Sequence, residues 1–121
     1  MDKKTAETAC QDLDEMLETG LKSRIDTIEL QWLSGEGLEV MFFTNENGVG
    51  GVLDKRGGLA LYRLVRQLAG LDDREEGSFV RTIGGKEVTV VVQTYENFGE
   101  TVLRLKLPWA PKRRGSGAGK R

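Results

Sequence analysis

The chain has 121 residues, 18 Lys and Arg against 19 Asp and Glu, and a formal net charge of −1, so its whole surface is not a basic nucleic-acid footprint. It has no histidine, which removes the usual zinc ligand and the commonest general base. Cys10 is the single cysteine; an internal disulfide is excluded, and a reducing cytoplasm is the expected compartment. No apolar run reaches membrane-spanning length, and the first residues lack a signal-peptide hydrophobic region.

Thr5 can cap a first helix, in which Ala9, Leu13, Met16, Leu17 and Leu21 recur at helical spacing. Asp12, Asp14, Glu15 and Glu18 read as its wet side, and Gly20 blurs its end. From Asp26 to Leu33 the period changes to two, with Ile28, Leu30 and Trp32 on one face. A turn at Ser34–Gly37 leads to Leu38, Val40 and Phe42, which continue that face. Met41 and Phe43 are apolar on the opposite one. A second turn precedes a weak strand, Val49–Leu53, loosened by Gly50 and Gly51.

Leu61, Leu64, Val65, Leu68 and Ala69 predict a second helix over Leu59–Ala69, with Gly57 and Gly58 before it and Gly70 as its stop. Ser78–Ile83 is a fourth strand, with Phe79 inward and Val80 a second inward candidate. Gly84-Gly85 suits a two-residue hairpin turn. Lys86–Thr94 follows, with Val88, Val90 and Val92 on one face and Val91 on the other. Tyr95–Gly99 reads as a longer connection. Glu100–Leu107 closes the pattern, with Leu103, Leu105 and Leu107 opposite Val102, Arg104 and Lys106, before Pro108 ends it. The expected fold is α+β: a two-layer sandwich in the order αβββαβββ, a mostly antiparallel sheet with both helices on one face, over residues 1–108. Residues 109–121 are expected to be a disordered basic tail.

No motif makes an enzyme site. Gly115–Lys120 fails as a phosphate loop: its glycines are one residue too close, and Arg121 stands where Ser or Thr binds magnesium. Gly48–Gly51 opens no helix, which argues against a dinucleotide loop. Asp72, Asp73, Glu75 and Glu76 lack calcium-loop spacing and are more simply a solvated turn. Cys10 has no histidine to activate it. No cofactor or metal is expected. Met41, Phe43, Val91 and Trp109 are the candidate interaction residues; sheet packing near an edge is the plainer account of Met41, Phe43 and Val91. Lys112, Arg113, Arg114, Lys120 and Arg121 are candidate anion contacts, although a nucleic-acid role sits poorly with an acidic body.

The run Leu64–Asp72 resembles the end of a helix in the N-terminal PAS-like domain of type II secretion and type IV pilus ATPases. Ile83–Thr94 resembles that family's Gly-Gly hairpin, and Gly99–Leu105 its following strand. The likeness covers roughly residues 13 to 107 and implies the PAS-like two-layer fold. It departs where the family places arginines able to meet ATP phosphates: here stand Met41, Phe43 and Asn47-Gly48, then Glu75–Ser78. The ATPase motor is also missing. The resemblance therefore implies a non-enzymatic interaction module that docks a secretion or pilus component, or itself, in the cytoplasm, reaching a membrane only through a partner. Two alternatives stay open: a small acidic secretion chaperone, and a regulatory domain holding a small ligand between sheet and helices, although the Leu- and Val-rich interior favours a filled core.

Overall fold

In the computed structural model, residues 3–45 and 47–108 are described. Helix α1 spans Lys3–Lys22. Strands β1 (Thr27–Leu33), β2 (Gly37–Thr44) and β3 (Asn47–Leu53) follow. Helix α2 spans Lys55–Ala69, and β4 (Glu76–Ile83), β5 (Lys86–Asn97) and β6 (Glu100–Lys106) complete the described chain. The six strands form one antiparallel sheet in the order β3-β2-β1-β6-β5-β4. The first strand and the last therefore meet in the middle, Ile28 opposite Leu105 and Leu30 opposite Leu103.

One face of the sheet supplies the core. Ile28, Leu30, Leu38, Val90, Val92, Leu103 and Leu105 are buried there against Leu13, Leu17, Leu61 and Val65 of the two helices. Among the described residues no polar or charged residue is fully buried. The alternation seen in the sequence thus sets which face the helices cover. Trp32 is half-buried and packs on this core.

Several boundaries and one facing differ from expectation; β3 and β4 each begin two residues early, at Asn47 and Glu76. Helix α1 is already helical at Lys3, so Thr5 lies inside its first turn. Helix α2 begins at Lys55 rather than Leu59, because Asp54 caps it and accepts a hydrogen bond from the Gly57 N–H at 2.8 Å. Gly58 is then a packing residue: a Cβ there would lie 2.6 Å from Leu38 Cβ. Strand β5 runs on to Asn97, and the longer connection shrinks to Phe98-Gly99, both at positive φ (53° and 82°). Val80 points away from the core and is exposed, while Phe79 is buried as expected.

Gly58 of α2 lies against Leu38 on β2, and a Cβ on Gly77 of β4 would overlap the Ala69 carbonyl at the end of α2. Helix α2 thus crosses the sheet from β2 to β4, and α1 packs beside it. A helix is about 10 Å wide, and six strands span about 24 Å. Two helices leave part of the sheet uncovered, and the uncovered part is the β3 end.

Candidate functional site

Met41 and Phe43 stand on the open face of β2, away from the helices, and are half-buried. Their cross-strand partners on β3 are Gly50 and Gly48. A Cβ on Gly48 would lie 2.7 Å from the Phe43 ring, and one on Gly50 would lie 2.7 Å from Met41 Sδ. The two side chains therefore lie down over the bare backbone of the glycines, which gives them contacts a flat edge strand would not supply. Edge packing and apolar surface are both true of them.

Val91 lies in the same cross-strand row as Phe43, but with Thr27 and Lys106 between them. The next row runs Met41, Glu29, Arg104 and Gln93. The expected apolar residues are thus split by a polar band. Glu29 accepts from Arg104 Nε at 2.9 Å and from the Tyr95 hydroxyl at 2.7 Å, while the guanidinium lies 4.6 Å from the centre of the Tyr95 ring. Desolvation, then the bond to Glu29, raises the Tyr95 pKa. Asn97 donates to Gln31 at 3.1 Å beside this group. The central open face is cross-linked polar surface, so the structure does not join Val91 to Met41 and Phe43. Trp109 and the cations Lys112, Arg113, Arg114, Lys120 and Arg121 lie outside the described residues.

On the helix face, the uncovered end of the sheet forms a groove of about 690 Å³. One wall is the flank of α1, with Asp12, Glu15 and Met16; the floor is β2 and β3, with Phe42, Val49 and Leu53. Val49 is 74% exposed. Gly51 has open space where a Cβ would stand. The groove is mostly apolar, its lining holds no Lys or Arg, and it carries two carboxylates. Burial beside the groove, followed by Glu15 and Asp54, raises the pKa of Asp12. Val52, on the other face of β3, is 51% exposed.

The sequence reading passed over this groove and Val49 and Val52. The signal was present in two forms: seven uncharged residues from Asn47 to Leu53, and two helices set against six strands. Of the four carboxylates expected on a solvated face, Glu15 and Glu18 are exposed, whereas Asp12 is half-buried at the groove wall and Asp14 pairs with Arg81 at 2.7 Å. Asp72, Asp73, Glu75 and Glu76 are exposed, and no three His, Cys, Asp or Glu residues converge as a metal site among the described residues. Among those residues, no helix is long and apolar enough to cross a membrane.

No protein-family model matches the chain, and no curated protein matches it in sequence.

Proposed function

We propose that this chain is a non-enzymatic protein-interaction module akin to the accessory domain of secretion and pilus ATPases. In this reading it works in the cytoplasm without a cofactor and binds a secretion or pilus component or a second copy of itself. The observation that supports it most is the gathering of accessible apolar groups at the β2–β3 end of the sheet: Met41 and Phe43 half-buried, Val49 and Val52 exposed. Accessible apolar groups on both faces of one sheet edge, Met41, Phe43 and Val52 on the open face and Val49 on the helix face, are the kind of surface that marks a protein contact. The test is a photo-crosslinking residue placed at Phe43 or Val52, with Thr89 near the opposite edge as control, in cells that make the protein. Protein adducts from the first two positions and none from Thr89 are expected. Absence of any protein adduct at Phe43 and Val52 overturns the reading.

The groove supports a second reading, a small-ligand regulatory domain, because its volume suits a small molecule. Asp12 and Glu15 on its wall disfavour phosphates there. A rise in melting temperature with an uncharged or cationic small molecule, lost in a Val49→Glu variant, would favour this second reading over the first.

A further inference from the structure

We propose that β3 accepts an extended segment of a partner protein as a seventh strand. Alternate apolar side chains of that segment fill the groove between α1 and the sheet, and a Lys or Arg of it meets Asp12 and Glu15. The inference rests on the interaction-module reading and names the chemistry of the partner.

The two edges of the sheet are built differently. Edge strand β4 carries Glu76 and, on its helix-facing side, Arg81, which is held by Asp14 at 2.7 Å. An inward charge of this kind disfavours pairing with a further strand, because the newcomer would have to bury against it. Edge strand β3, Asn47–Leu53, has no charge and no proline. Along its outer side the backbone donors and acceptors have no strand partner among the described residues.

The side chains extend the argument. Val49, Gly51 and Leu53 pair with Phe42, Val40 and Leu38, so all six share the helix face. A strand laid beside β3 would set every second side chain into the groove next to Val49 and over the open space at Gly51. Backbone hydrogen bonds give such a contact its affinity, and the groove gives it side-chain preference.

Charge separates a cation-bearing segment from a second copy of β3. The groove lining has two carboxylates and no cation, so an incoming segment that carries a Lys or Arg is favoured. A second copy of β3 brings no cation. In an antiparallel β3–β3 pair with helices on the same side, it would also set its own Asp12 and Glu15 opposite the first pair.

The experiment uses the full chain and a short acetylated peptide of alternating Val and Thr with Lys at both ends. A matched peptide has Glu at the ends, and another has alternate backbone amides methylated. Amide NMR shifts and hydrogen exchange are read at Asn47–Leu53. The Lys-ended peptide should move those resonances and slow their exchange. The Glu-ended peptide should bind about tenfold more weakly or less, and the methylated one should not bind. Gly51→Glu, which has room for its side chain, should abolish the shifts; Val49→Glu, at an exposed position, serves if that variant fails to fold.

Equal affinity for the Glu-ended peptide, or shifts elsewhere only, overturns the proposal. So does β3 protection without peptide, whether it accompanies a doubled mass or a monomer whose own tail fills the edge. Crosslinks at Val52 together with peptide failure would leave the interaction-module reading standing and remove strand addition.

Discussion

At the scale of single residues, two glycines separate packing from conformational freedom. A methyl on Gly58 would press on Leu38, whose backbone nitrogen also lies only 3.0 Å from the Cβ position. Gly58→Ala should cost about 1–3 kcal/mol in urea unfolding, because β2 and α2 must move apart. Gly51→Ala meets nothing and should raise stability by about 0.5 kcal/mol, through a less free unfolded chain. Asp12 makes a pH-dependent prediction. Its folded pKa is raised above the ordinary 3.8, by burial first and by Glu15 and Asp54 next. The folded state therefore holds the proton more tightly than the unfolded one, and ionised Asp12 works against the fold. That penalty is present at neutral pH and is relieved as pH falls through the folded pKa toward 3.8. Asp12→Asn should be more stable than the parent at neutral pH, and the gap should close in acid; denaturant midpoints at the two pH values check it.

At the scale of elements, the β5–β6 hairpin carries a measurable conflict. Phe98 is 95% exposed with φ of 53°, a left-handed conformation that its side chain disfavours. Phe98→Asn should raise stability by about 1 kcal/mol, seen as a higher melting temperature, since the exposed ring gives up little packing. A residue that dislikes its backbone is also why this turn was missed: Tyr95–Gly99 offered Gly99 but no Asn or Asp beside it. By contrast, Gly84-Gly85 was read correctly because both positions need positive φ and both are glycine. The start of α2 was hidden for a related reason. Gly57 and Gly58 look like breakers, and only their distance from Leu38 and Asp54 shows why a helix keeps them.

At the scale of the whole molecule, the layers and faces were legible, because period-two and helical spacing dictate which residues must be covered. The candidate site was legible only in part. Met41 and Phe43 were visible as apolar residues on the wrong face, but their covering of Gly48 and Gly50 depends on register. The polar band of Glu29, Tyr95 and Arg104 depends on strand order, which joins residues 66 and 75 apart in the chain. That group should be cooperative. Glu29→Ala strands the Tyr95 hydroxyl and Arg104 together and should cost about 1–2 kcal/mol, moderated by the partial exposure of Arg104. A double-mutant cycle with Tyr95→Phe should show non-additivity.

The central pairing of β1 with β6 also has a consequence for synthesis. Until residues 100–106 leave the ribosome, β1 and β5 each lack a neighbour in what will become the middle of the sheet. The growing chain then shows two sticky inner margins, and among the described strands only β6 can close both at once. Sheet assembly therefore waits for residues 100–106, so a nascent chain stalled before Glu100 is the form most in need of a chaperone.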